Sequence, residues 1–426
     1  MKRRDFLVRA GALAAAPAAV AACAEEAAPQ PTGWAAVRAQ FALREGRRDF
    51  AAWYLASHPR PVREAIERHR RGLDASPHEY VERHVELEAR ARAAAASYLE
   101  TEGDQIALTD STTMGLGLLY AGIAVAPGQE LVTSAHDFYA THEALRVRAA
   151  RSGTTLSRIQ LYSRPDTASV DEIVSNVEVA LTPRTRVLAL TWVHSSTGVK
   201  LPVREIAAVV AARNRDRPSA ARILFCVDAV HGFGVEADTP DDLGVDFLVS
   251  GCHKWVFGPR GTGLVWGRPE AWAEISPTIP TFATEAYGAW LYGAQAAVPA
   301  GPLHTPGGFH SFEHRWALGA AFRWRSELGR ARVAARTHAL AGRLKGELAG
   351  SRRLALVTPR DRALSSGLVM VTPFERDPAE VVRALARRGI VATVTPYRER
   401  HVRLGPSIAN DDDDVDAAAR ALHDIL

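Results

Sequence analysis

Val249-Ser250-Gly251-Cys252-His253-Lys254-Trp255-Val256-Phe257-Gly258-Pro259-Arg260-Gly261-Thr262-Gly263 decides how the rest of the 426-residue chain is read. The apolar run at residues 245–249, with Asp246 inside it, predicts a short buried strand, and Leu264-Val265-Trp266 predicts another. Two glycine-rich turns and one lysine lie between them. A lysine delivered from the end of a buried strand is costly unless it is exposed, paired or covalently used. The bland alternative is a solvated loop lysine.

The segment upstream weighs against that alternative. Ile223-Leu224-Phe225-Cys226-Val227 is a continuous apolar run of the kind covered on both faces, and it ends in Asp228-Ala229-Val230-His231-Gly232. A carboxylate at the carboxyl end of a central strand lies where open α/β sheets bind ligands. Lys254 follows 26 residues later. An aspartate with a Schiff-base lysine is what pyridoxal phosphate requires. The carboxylate keeps the pyridine nitrogen protonated, and the lysine carries the cofactor as an aldimine.

The patterns V-D-A-V-H-G and S-G-C-H-K-W-x-x-G-P-x-G-T-G together resemble the class V aminotransferase family of fold-type I pyridoxal phosphate enzymes, within it the isopenicillin N epimerase-like branch. The resemblance runs from about Phe41 onward. It implies an α/β fold, with a mainly parallel seven-stranded-type sheet between helices and a smaller α+β C-terminal domain. It also implies a homodimer acting on an amino acid or amino-acid-derived substrate through a Lys254 aldimine and a carbanion. The outcome would be that of an epimerase, an aminotransferase or a C–S/β-lyase. A classical cysteine desulfurase is disfavoured, because no cysteine follows Cys252. The reading from a different class is a non-catalytic cofactor- or ligand-binding envelope lipoprotein on the same scaffold.

Site residues follow from the same resemblance. Thr112 and Thr113, in a hydroxyl-rich segment opening a helix, would cradle the cofactor phosphate; good N-caps are the structural alternative. His136 and Phe138 both fit the position stacked on the pyridine ring. Ser195 stands where many members place an asparagine toward the phenolic oxygen, and His231 could supply that contact instead. His253 is a phosphate ligand candidate. Gly251 replaces the serine often found three residues before the lysine, and Ser250 is displaced by one. The Gly-Thr pair that reaches a partner's phosphate site is absent, leaving Thr305 or Ser311 to substitute. Arg403, two residues before Gly405-Pro406, would clamp the substrate carboxylate, its planar fork suiting a bidentate contact; the alternative pairs it with the acidic run at 411–414.

The remaining chain adds context. Arg3-Arg4 with Phe6-Leu7 forms a twin-arginine pattern ahead of an apolar stretch too short to span a bilayer, which predicts a signal peptide over residues 1–22. Cys23, after Val20-Ala21-Ala22, would be lipidated, or else stand incidentally near a plain cleavage site. The expectation is export to the periplasm or cell envelope, with membrane contact only through that lipid. A tether over 23–40 leads to an arm and helices over 41–100, a cofactor domain over 101–310, and a connecting helix with the small domain over 311–426. Helices are predicted at residues 62–71, 78–99 and 316–348. The arm near Phe50 to Leu55 would close an active site or merely pack. The signal supplies three of the four net positive charges, and no basic tract is interleaved with aromatics, so nucleic acid is not expected as a partner. Three cysteines make neither a disulfide scaffold nor a metal-ligand spacing.

Overall fold

Seven strands make the main sheet: β1 (Ile106–Thr109), β2 (Glu130–Ser134), β3 (Thr155–Ile159), β4 (Thr185–Thr191), β5 (Leu224–Asp228), β6 (Phe247–Gly251) and β7 (Gly263–Gly267). They are hydrogen-bonded in the order β1-β7-β6-β5-β4-β2-β3. Strand β7 is antiparallel to both neighbours, and every other pairing is parallel. The computed structural model describes residues 33–293, 295 and 297–426. The twin-arginine pattern, the apolar stretch behind it and Cys23 lie outside the described residues.

Side chains of β5 alternate between two cores, as the pleat requires. Leu224 and Cys226 pack with α3 (Thr112–Gly122) and α4 (Tyr139–Ser152). Phe225 and Val227 face the core that holds α5 (Val170–Ala180), α6 (Val203–Asn214) and Leu318, Ala321 and Phe322 of α7 (Phe312–Leu328). Burial on both faces explains why the central strands read as unbroken apolar runs, whereas β3 at the edge is partly exposed.

A second sheet follows, with β8 (Leu354–Leu356), β9 (Val369–Pro373), β10 (Thr393–Val394) and β11 (Val402–Leu404) in the antiparallel order β10-β11-β9-β8. It packs on α8 (Arg330–Leu348), α9 (Pro378–Arg387) and α10 (Asp412–Ile425).

Three boundaries differ from the sequence expectation. The helix expected over 316–348 is two helices, α7 and α8, because Gly329 adopts a φ of 79° between them. The helix expected over 78–99 breaks into Pro77–Arg83 and α2 (Leu87–Leu99), where His84 leaves the helical region; α1 (Arg60–Ala75) precedes both. The tether expected to reach residue 40 is already ordered at Trp34–Arg38, where Val37 is fully buried and Arg38 pairs with Asp411 and Asp414.

The arm is tied to the small sheet. Arg48–Asp49 pairs in parallel with Ile390–Val391, and Gly405 donates its N–H to the Phe50 carbonyl at 2.8 Å. A Cβ on Gly405 would lie 2.2 Å from the Trp53 ring, so only glycine lets β11 run on beneath that indole.

Glu236 links the two sheets from the segment after β5. Its carboxylate accepts from Lys200 at 3.0 Å, from His338 of α8 at 3.0 Å and from Ser366. Burial alone would raise its proton affinity, but the His338 hydrogen bond, the Lys200 charge and the Ser366 hydroxyl bring its pKa down to about 2. A folded pKa below the ordinary 4.5 adds stability that is present above pH 4.5 and is lost as pH falls toward 2. Removing one partner of such a buried pair costs about 3–5 kcal/mol. Glu236→Ala should therefore lower the urea midpoint strongly at pH 7, and its deficit should shrink on acidification below pH 4.5. An equal deficit at both pH values would contradict the charge assignment.

Candidate active site

The carboxyl ends of β4 and β5, the start of α3, the turn after β6 and the strand β11 converge on a cavity of about 390 Å³. Its wall carries Lys254, Asp228, His231, Thr112, Thr113, Phe138, Ser195, His253 and Arg403. These are nine of the ten residues singled out from the sequence.

Asp228 ends β5, and its carboxylate accepts the Val230 N–H at 3.0 Å. Burial pushes its proton affinity up, and the nearby Lys254 charge offsets part of that rise. The same burial pushes the Lys254 ammonium down, with Asp228 opposing the shift and Arg403 adding to it. A lysine that deprotonates readily beside a buried carboxylate is equipped for covalent and proton-transfer chemistry, not for solvation.

The histidines differ in what they offer. The Trp255 indole N–H donates to His231 Nδ1 at 3.3 Å, so the proton of the neutral ring sits on Nε2. Burial lowers the His231 pKa far below its ordinary value, with the Lys254 and Arg403 charges adding to it. His253 Nδ1 donates to the Thr262 carbonyl at 3.3 Å, which leaves Nε2 to protonate when an anion approaches.

At the start of α3, Thr112 Oγ1 accepts the Gly251 N–H at 2.7 Å and keeps its own hydroxyl proton to donate. A Cβ on Gly251 would lie 2.8 Å from His253 Cε1 and 3.0 Å from Thr112 Oγ1. The imidazole thus fills the room a serine would need, which accounts for glycine at that position. Ser250 is fully buried, donates to the Gly251 carbonyl and is not on the wall.

Arg403 is held before any substrate arrives. Nη1 donates to the Ser195 carbonyl at 2.9 Å, Nε to Thr393 Oγ1 at 3.2 Å, and the guanidinium lies 3.8 Å over the Trp53 ring. The alternative pairing with the acidic run does not occur: Asp411 takes Arg38, Asp414 takes Arg38 and Arg48, and Asp412 takes Arg336.

His136 is not on the wall. Its ring stacks on Tyr162 with centroids 3.9 Å apart, behind the loop that presents Phe138. Of the two registers left open by the sequence, the one with Phe138 faces the cavity. Asp137, between them, explains the orientation: it accepts from Thr133, from the Ser134 N–H and from the Thr191 N–H, each at 2.7 Å, fastening the loop to β4. Thr305 is committed to the Leu108 N–H and the Gly301 carbonyl, so it is not free for a partner's phosphate site, whereas Ser311 is exposed.

Sequence reasoning missed Thr191, Tyr397 and the depth to which the arm enters. Thr191 Oγ1 is buried on the wall without a hydrogen-bond partner. Tyr397 shares a hydrogen bond of 2.6 Å with Ser195 Oγ, joining the loop after β10 to the cavity wall. Trp53, Tyr54 and Leu55 line the cavity, and the Ala56 N–H donates to the His253 carbonyl at 3.0 Å. The arm closes this chain's own site. No local signal marks Tyr397, because its contact spans 202 residues.

A match to the family described as "Aminotransferase class-V" spans residues 56–410. The chain belongs to the aminotransferase class-V family. It is similar to isopenicillin N epimerases of Amycolatopsis lactamdurans (25% identical, covering 82% of this chain and 85% of that protein) and Streptomyces clavuligerus (26%, 85% and 91%). It is also similar to a probable cysteine desulfurase of Pseudomonas aeruginosa (28%, 62% of each). A solved structure of a C-DES mutant with glycine covalently linked to its pyridoxal phosphate cofactor superposes with a TM-score of 0.82 at 20% identity, covering 91% of this chain and 99% of that one. At that identity the likeness shows the fold. The family makes this chain a pyridoxal phosphate enzyme, and the cavity fits the cofactor. Hydroxyls and a helix start lie at one end, Thr191 Oγ1 has no partner, and Asp228 is the only carboxylate on the wall among the described residues.

Gly251→Ser should weaken retention of pyridoxal phosphate at least ~10-fold through the collision with His253, a loss typical of a disturbed polar contact. In a His253→Ala background, where the collision is gone, Gly251→Ser should cost little further retention, as read by equilibrium dialysis. Full retention in the single variant would contradict the close packing.

Proposed function

We propose that this class-V enzyme removes the α-proton of an amino acid that carries a free α-carboxylate. The single observation that carries the reading is the convergence of Lys254, Asp228 and Arg403 on one cavity. Bound pyridoxal phosphate supplies an electron-withdrawing ring that stabilises negative charge left at the substrate Cα. Asp228, whose carboxylate has one donor among the described residues, holds a proton on the ring nitrogen. Thr112, Thr113 and His253 hold the phosphate, aided by the free N–H groups at the start of α3. His231, with its proton on Nε2, would donate to the phenolic oxygen, with Ser195, joined to Tyr397, on the same wall. Phe138 covers the ring. Lys254 anchors the cofactor and then moves the α-proton, a task suited to its lowered proton affinity. Arg403 grips the α-carboxylate.

Epimerisation, transamination and C–S or β-elimination all start from this proton transfer. Among the described residues no thiol reaches the cavity, since Cys226 and Cys252 are fully buried and lie off its wall, so desulfuration through a protein thiol gains no support there. The same reading extends to a homodimer, supported by the exposed Phe282, Trp290, Tyr292 and Phe309. It also extends to twin-arginine export, with Cys23 lipidated.

Borohydride treatment of the holoprotein followed by peptide mapping should place the pyridoxyl group on Lys254, and Lys254→Ala should abolish that label. A label elsewhere, or none, contradicts the assignment. Asp228→Asn should keep the cofactor and lose about 10²-fold or more of turnover, the scale of a lost acid–base function; near-normal turnover would contradict its role. In salt-washed membranes the wild type should be retained and Cys23→Ala released. Equal release of both would leave export without an anchor.

A further inference from the structure

The charges around the cavity are few, and each has a task. Arg403 is a permanent cation, Lys254 is committed to the cofactor, and Asp228 is the only carboxylate on the wall among the described residues. Burial lowers the proton affinity of both His231 and His253, so neither is a standing cation. After the α-carboxylate takes Arg403, no positive group among the described residues of the wall remains for a second carboxylate. Of the two arginines in the loop beyond Pro396, Arg400 is paired with Asp377 at 3.0 Å and Arg398 is exposed, and neither lines the wall.

The outer rim is apolar. Tyr54 and Leu55 of the arm are 66% and 44% exposed and Phe138 is 38% exposed, and Pro396 and Ala140 line the same cavity. The arm is fixed there by three contacts. The Trp53 indole N–H donates to the Phe50 carbonyl at 2.8 Å, its ring lies under Arg403, and the Ala56 N–H is bonded to the His253 carbonyl. A substrate held at Arg403 by its carboxylate, with its α-hydrogen toward Lys254, has this rim left for its side chain.

We propose that the substrate is a monocarboxylic α-amino acid with an extended, uncharged apolar side chain, selected by Tyr54 and Leu55. The proposal rests on the reading of Arg403 as the α-carboxylate clamp and goes beyond it by fixing the side-chain class. A side-chain carboxylate would be desolvated against these groups with no partner, which is strongly unfavourable. A short side chain would leave the apolar rim uncovered and lose the contribution of its burial.

The test is a spectral titration of the holoprotein, following the visible cofactor band with no need for turnover. The probes are norleucine, phenylalanine, alanine, cysteine, aspartate and glutamate, each as L and D forms. Norleucine or phenylalanine should bind at least ~10-fold more tightly than alanine or glutamate, the scale set by a few buried methylenes or one unpaired charge. Leu55→Arg should reverse the order, tightening glutamate and weakening norleucine, while leaving borohydride labelling of Lys254 intact. Leu55→Ala should weaken norleucine alone.

Tighter binding of aspartate, glutamate or cysteine to the wild type would overturn the proposal while leaving the proton-transfer reading standing. The proposal also falls if both Leu55 variants keep the wild-type preference and instead change the sedimentation coefficient, since the rim would then be an interface between copies of this chain. If no amino acid shifts the band of a correctly labelled holoprotein, the proton-transfer reading itself fails.

Discussion

A carboxylate buried at the end of a central strand is unfavourable unless something positive meets it, and Asp228 is placed where that need shapes its surroundings. It lies on β5, whose neighbours on both sides are parallel strands, so its side chain emerges at the carboxyl edge of the sheet among the other strand ends. Lys254 arrives there from the turn after β6, and its desolvation is offset in part by Asp228. Each group moves the other's proton affinity in the opposite direction to burial, so neither is settled without a ligand between them. A protonated ring nitrogen on one side and a covalent carbonyl partner on the other would satisfy both.

The rest of the site serves that pair by removing freedom from the groups around it. Asp137 uses three short hydrogen bonds to fix the loop that presents Phe138. Trp255 fixes the His231 tautomer, and Thr262 fixes that of His253. The Trp53 face and two hydrogen bonds hold the guanidinium of Arg403 in its plane. Preorganisation of this kind matters because oriented groups need no rearrangement at the moment of reaction. Glu236 extends the same principle to the whole molecule by tying the cofactor-bearing segment to α8 and the small sheet.

The parts of this arrangement that local chemistry dictates were legible in the sequence. Apolar runs ending in Asp228 and before Lys254 announce buried parallel strands, because burial on both faces leaves no room for alternation. Hydroxyl residues ahead of α3 announce a helix start, and Arg403 two residues before Gly405-Pro406 marks, by resemblance, the carboxylate clamp. What escaped was set by contacts distant in sequence. The Phe138-or-His136 choice depends on Asp137 bonding to β4, Ser195 is joined to Tyr397, and Gly251 makes sense only once the His253 ring is seen above it. The break at Gly329 is a local signal that a helix-favouring context, with Glu327, Leu328, Arg330, Ala331 and Arg332 around it, concealed.

Every role assigned in the site serves one step, in which Lys254, poised by Asp228, moves the α-proton of an amino acid. The direct measurement is proton NMR of an amino acid incubated with the holoprotein in deuterated water, following loss of the Cα–H signal. Exchange should be catalysed by the wild type, vanish in Lys254→Ala and fall sharply in Asp228→Asn. Absence of exchange with every amino acid that binds the wild type, or exchange that persists undiminished in Lys254→Ala, would contradict it.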